Sequence, residues 1–124
     1  MLYNQNITDS ISLNLTKQYL GKEVDIVINR AVGSTHPKWN FIYECNYGYI
    51  KGVLAPDGEE LDAYLLKVNT PVETFHGQVI AIIHRLKDDD DKLVVVPTGQ
   101  TITDEEIEKI VAFQEKWFEH EIIR

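Results

Sequence analysis

Residues 78–97 read Gln-Val-Ile-Ala-Ile-Ile-His-Arg-Leu, then Lys-Asp-Asp-Asp-Asp, then Lys-Leu-Val-Val-Val-Pro. Two β-branched runs flank a charged stretch, which predicts strands over 78–86 and 92–97 joined by a tight polar hairpin or loop. The same grounds predict strands over 23–30, Glu-Val-Asp-Ile-Val-Ile-Asn-Arg, and over 63–68. Between the first two strands, Gly33 to Asn40 is dense in loop formers and reads as a surface loop. The period then changes near the C-terminus. Ile107, Ile110, Val111, Phe113, Trp117 and Phe118 fall on one helical face, and Thr103 with Glu106 forms a capping box, so a helix is expected over about 103–119. On this reading Trp117 and Phe118 are core residues. Short strands with one terminal amphipathic helix predict a small β-barrel with a packed helix, an α+β arrangement in a single domain over 1–124.

Composition narrows the function. The chain has 124 residues, with 12 Lys plus Arg against 20 Asp plus Glu, a formal charge of −8. Non-specific nucleic-acid binding depends on basic residues that replace counterions at phosphates, so no nucleic-acid partner is expected. No apolar stretch approaches the ~20 residues of a membrane span. Met1 to Asn6 lacks the basic flank and apolar run of a signal peptide, so a cytoplasmic location is expected. The lone Cys45 agrees with a reducing compartment and reads as a buried structural thiol. Glycosylation patterns at Asn6 and Asn14 then read as chance matches. The four histidines, at 36, 76, 84 and 120, show no metal-ligand spacing and read as surface or structural.

The acids are unevenly placed. Asp57, Glu59 and Asp62 crowd a turn that leads into a strand, and Asp88 to Asp91 precede another. Clusters at two strand ends can converge into an oxygen-rich site for a hard cation such as magnesium, which itself binds substrate phosphates. Solvated acidic turns are the plainer alternative on spacing alone. The spacing is not that of a calcium EF-hand loop.

Around these acids the chain closely resembles the soluble family I inorganic pyrophosphatases. Tyr43-Glu44-Cys45-Asn46-Tyr47-Gly48-Tyr49-Ile50, then Asp57-Gly58-Glu59-Glu60-Leu61-Asp62, is similar to that family's Tyr-Pro-x-Asn-Tyr-Gly-Phe/Tyr-Ile, spacer and Asp-Gly-Asp-Pro-x-Asp. Asp90-Asp91-Lys92-Leu93-Val94-Val95-Val96-Pro97 resembles its Asp-x-Lys-Leu-Val-x-Val-Pro element, and Arg30 resembles an upstream arginine. The resemblance spans residues 30–97 and implies a five-stranded OB-like barrel with flanking helices. It implies magnesium-dependent, or manganese-dependent, hydrolysis of pyrophosphate to two phosphates by metal-activated water. The implied metal ligands are Asp57, Glu59, Asp62, Asp88 and Asp90. Asp57, Glu59 and Asp62 would be catalytic, with Glu59 orienting or deprotonating the water. Arg30, Tyr43, Tyr47 and Lys92 would hold phosphate oxygens. A homo-oligomer is in keeping with such a family.

Three departures accompany the resemblance. Glu59 stands where the family has aspartate, and an extra methylene moves a carboxylate by about 1.5 Å, enough to affect rate steeply. Trp117-Phe118 stands where the family has a phosphate-binding Tyr-Lys pair. The 33–40 loop is longer than the family norm, and Lys38 or His36 is the expected replacement for the missing phosphate contact. Two further readings stay open: a non-catalytic metal and phosphate binding module, and a hydrolase of another phosphoanhydride admitted by the 33–40 loop.

Overall fold

A computed structural model of the chain describes residues 10–124. The expectation of no leader over Met1 to Asn6 and the Asn6 glycosylation pattern lie outside the described residues. The elements run α1 (Ile11–Lys17), β1 (Glu23–Arg30), β2 (Asn46–Leu54), β3 (Glu60–Leu65), β4 (Thr74–Arg85), β5 (Lys92–Val96), α2 (Asp104–Glu115) and β6 (His120–Ile123).

The strands hydrogen-bond in the order β1-β2-β3-β5-β4, and β4 returns to pair with β1. The sheet therefore closes into a five-stranded barrel with no free edge among those strands. β4 makes closure possible by its length of 12 residues. Its first half pairs antiparallel with β1, its middle with β5, and its last residues with β6. The β3–β5 pair alone is parallel, with Ala63 opposite Leu93.

Alternation along the strands builds two cores. Ile26, Ile50, Leu61, Leu65, Ile82 and Leu93 belong to one, which draws on all five barrel strands and fills the barrel. Tyr64, Ile83 and Val94 point the other way and pack against Ile107, Val111 and Phe113 of α2. A register shift between Val79 and Ala81 resets the parity of β4, so Val79 and Ile82 share the barrel interior although they are three positions apart. Cys45 is buried as a free thiol.

The α+β barrel with a packed helix is thus the observed architecture. β1 has the expected bounds, and 88–91 lies in a β4–β5 hairpin. The capping box of α2 is present, Thr103 and Glu106 each accepting from the other's backbone. Three elements, α1, β2 and β6, were not anticipated. The C-terminal helix is also shorter than its periodicity suggested. It stops at Glu115 because the chain must turn back to lay β6 along β4. Trp117 and Phe118 consequently leave the helix and are 68% and 38% exposed, which corrects their reading as core residues.

Candidate active site

A cavity of about 650 Å³ opens where β2, β3, β4 and β5 meet the chain leaving α2. Tyr47, Asp62, Arg85, Asp90 and Lys92 line its polar part. Sheet register brings them together. Because Ala63 lies opposite Leu93 in parallel strands, the preceding residues Asp62 and Lys92 lie side by side. Because Ile83 pairs with Lys92 in the antiparallel hairpin, the same register carries Arg85 toward Asp90.

Lys92 is buried, and its Nζ donates to Asp62 Oδ2 and Asp90 Oδ1, each at 3.0 Å. Its ammonium also lies 5.9 Å from the centre of the Tyr47 ring. Arg85 is buried too. Its Nε and Nη2 donate to the two oxygens of Glu115 at 3.0 Å each, a bidentate fork. Its remaining nitrogen, Nη1, is 3.5 Å from Asp90 and 3.7 Å from Asp88. The Phe118 ring covers the guanidinium with its centre 3.6 Å from Cζ. Glu115 is itself fully buried and accepts from the Tyr64 hydroxyl at 2.5 Å, while Gln114 donates to that hydroxyl and accepts from the Tyr43 hydroxyl. Among the described residues no buried side-chain nitrogen or oxygen lacks a partner.

These contacts fix protonation. Burial opposes the charge on Lys92, but Tyr47, Asp62 and Asp90 outweigh it and hold its pKa above the ordinary value. Burial likewise opposes the charge on Arg85, and Glu115, Asp90 and Asp88 outweigh it. Burial pushes the Tyr47, Tyr43 and Tyr64 hydroxyls up, so all three remain protonated donors at neutral pH. The site thus presents two permanent cations and neutral hydroxyls beside half-exposed carboxylates, a set suited to phosphate oxygens.

The other predicted residues are distributed around this centre. Arg30 ends β1 opposite Tyr47, and its guanidinium acts on the Tyr43 hydroxyl. Asp57 and Glu59 sit in the exposed β2–β3 turn, where Asp57 Oδ1 accepts from the Glu59 N–H at 2.9 Å. They are not among the residues that line the cavity. Asp88 is reached through Arg85. Lys38 is exposed and lies 4.8 Å from the centre of the Trp39 ring. Sequence reasoning missed Arg85, Glu115 and Gln114. The spacing Ile107, Val111, Glu115 places a carboxylate on the buried stripe of α2, and that charge in an apolar row was the available signal.

Among the described residues no group of three or more His, Cys, Asp or Glu side chains is arranged to hold a metal ion. Asp62 and Asp90 nevertheless fit magnesium, because that ion is commonly bound by one or two carboxylates together with waters and substrate phosphates. Each gives one named oxygen to Lys92 and is more than a third exposed, Asp62 at 34% and Asp90 at 41% of its side chain.

A closed five-stranded barrel with a lysine, an arginine and carboxylates gathered at one opening defines a polyanion-handling site on an OB-like scaffold. A sequence profile of the inorganic pyrophosphatase family matches residues 22–122, so the chain belongs to that family and is a diphosphatase, a hydrolase of phosphoanhydride bonds. Solved structures agree on the fold. An inorganic pyrophosphatase from Ehrlichia chaffeensis is 19% identical, covering 82% of this chain and 85% of that one, with a TM-score of 0.64. One from Helicobacter pylori is 16% identical over 77% of this chain and 75% of its own, with a TM-score of 0.57. One from Thermus thermophilus is 18% identical over 82% and 80%, with a TM-score of 0.55. Among curated protein sequences there is no match. Among the described residues no helix is long and apolar enough to cross a membrane.

Proposed function

We propose that the chain hydrolyses inorganic pyrophosphate to two phosphates with magnesium bound. The observation that carries this reading is the convergence of Lys92, Arg85, Asp62 and Asp90 on one cavity. Pyrophosphate is a compact polyanion, and its oxygens would replace the carboxylate contacts of Lys92 and Arg85 with charge-assisted bonds of their own. Tyr47 and Tyr43 remain protonated and donate without adding negative charge. Arg30, which acts on the Tyr43 hydroxyl, and Lys38, which lies beside the rim residue Trp39, would assist capture of the anion.

Asp62 and Asp90 would hold magnesium, with Asp57, Glu59 and Asp88 as the further ligands that the family resemblance assigns. Bound there, the ion supplies charge neutralisation and a more acidic water. By the family resemblance Glu59, which stands in the exposed β2–β3 turn, would orient the attacking water and take its proton. The water oxygen bonds to one phosphorus as the bridging oxygen leaves the other way with the electron pair, giving two phosphates. Manganese, which like magnesium takes oxygen ligands, is expected to substitute.

Phosphate release from pyrophosphate, measured with and without magnesium or manganese, tests the proposal. Wild type should turn over only with the cation, and Asp62→Asn should lose about a hundredfold or more in kcat/KM. Glu59→Gln should lose kcat while still binding pyrophosphate. No turnover under any of these conditions overturns the enzyme reading. Metal-dependent phosphate binding without turnover would identify the non-catalytic module instead.

A further inference from the structure

The same cavity has walls that pyrophosphate cannot use. His36, Trp39, Phe41, Trp117 and Phe118 surround the polar floor, and pyrophosphate has no apolar surface to set against them. Trp39 is 65% and Trp117 68% exposed, although large aromatic side chains usually bury most of their surface. Both tryptophans of the chain are thus spent on one opening. Three of these five rings also carry a cation: Lys38 at 4.8 Å from the Trp39 ring, Lys116 at 4.9 Å from Trp117, and Arg85 at 3.6 Å from Phe118.

The backbone that carries Trp39 is tied to His36. His36 Nδ1 accepts the backbone N–H groups of both Lys38 and Trp39 at 3.0 Å, which requires an unprotonated ring nitrogen. Burial and the charges of Arg30 and Lys38 favour that neutral form. The His36 ring also packs 4.8 Å from Phe41. On the other side, Trp117 and Phe118 are set by the turn between α2 and β6, where Phe118 N–H bonds to the Glu115 carbonyl at 2.9 Å.

We propose that this site takes nucleoside di- or triphosphates, with the phosphoanhydride on Lys92 and Arg85 and the base stacked on the Trp39–Trp117 rim. The inference rests on the phosphoanhydride chemistry proposed above and adds the class of substrate. Flat aromatic faces flanked by cations suit a π-faced base carrying phosphates, since bases stack on aromatic side chains regardless of their identity. The volume lies within the ~300–1,000 Å³ of pockets that enclose organic ligands. In the reaction a water oxygen bonds to the terminal phosphorus. The bridging oxygen departs with the electron pair on the shortened nucleotide, and inorganic phosphate and a proton are released.

Tryptophan fluorescence reports this site directly, because both tryptophans line it. With magnesium present, we compare α,β-methylene-ADP with methylenediphosphonate, two non-hydrolysable ligands that differ by the nucleoside. The nucleotide should quench emission saturably and bind about tenfold tighter or more. That affinity ratio should fall about tenfold in Trp117→Ala and in Trp39→Ala, two variants that guard against one failing to fold. Equal affinities, or a ratio indifferent to both substitutions, overturn the inference. So does tighter binding of an isoprenyl diphosphate, which would mean an aliphatic tail, or emission that tracks protein concentration and not nucleotide, which would mean contact between copies. Pyrophosphate turnover without nucleotide preference removes this inference and leaves the proposed function standing. Nucleotide preference without any pyrophosphate turnover does the reverse.

Discussion

Lys92 shares its ammonium between Asp62 and Asp90, whose side chains keep 34% and 41% of their exposure. Arg85 is forked onto Glu115, whose side chain keeps none. Removing one partner of a buried pair costs about 3–5 kcal/mol because a charge is left uncompensated, whereas pairs open to water contribute about 0–1 kcal/mol. Glu115→Gln should therefore lower unfolding stability by about 3 kcal/mol or more. It removes the buried carboxylate of the fork, leaves the guanidinium only its longer contacts to the more exposed Asp90 and Asp88, and disturbs Tyr64. Asp62→Asn should cost about 1 kcal/mol or less, since Lys92 keeps Asp90. Urea unfolding of the two variants checks this, and equal losses would contradict it. The same contrast explains what was legible. The exposed acids at 57, 59, 62, 88 and 90 announce themselves as clusters in the sequence. Arg85 ends an apolar strand and Glu115 ends an amphipathic helix, and each acquires meaning only from a partner 30 residues away.

Two glycines of neighbouring motif segments show how the elements constrain the site. Gly48 lies in β2 where it crosses β1, and a Cβ there would fall 1.8 Å from the Val27 carbonyl oxygen. Gly58 lies in the β2–β3 turn at φ +87° with nothing within 4 Å of the added atom. Gly58→Ala pays only for a left-handed backbone, about 1–2 kcal/mol. Gly48→Ala must push two barrel strands apart, next to Tyr47, and should cost more than any other glycine change in the sheet, to the point of losing cooperative unfolding. Thermal unfolding followed by circular dichroism checks the order, and a milder loss at Gly48 than at Gly58 would refute the packing argument. Local pattern revealed β1, the β4–β5 hairpin and α2 because each carries a run of β-branched residues or a helical apolar stripe. It did not reveal β2, whose Asn46-Tyr47-Gly48-Tyr49 is built from polar, aromatic and glycine residues chosen for close approach and for the cavity. Nor did it reveal where α2 ends, because β6 is set by pairing with β4 and not by local propensity.

Across the whole molecule, the charge of −8 has a local origin: the eight acids at 57, 59, 60, 62 and 88–91 account for it, leaving 12 acidic and 12 basic residues elsewhere. Pyrophosphate approaching alone meets Asp62, Asp88 and Asp90 as well as Lys92 and Arg85. Magnesium approaching alone finds carboxylate oxygens already shared with Lys92. Each ligand should consequently bind weakly without the other, and together they should stabilise the fold by mass action. At concentrations about 100 times the dissociation constant, the gain is about 2.7 kcal/mol. For a domain of this size that is a rise of about 10 °C in Tm. Thermal scans with magnesium, with pyrophosphate and with both should show a combined shift well above the sum of the separate ones. Added salt should reduce it, because the long-range part of the attraction is screened. Asp90→Asn should remove most of the synergy while leaving the unliganded Tm within a few degrees. A full shift with pyrophosphate alone would mean that Lys92 and Arg85 suffice as counter-charges, and the cation-dependent part of the proposal would fall.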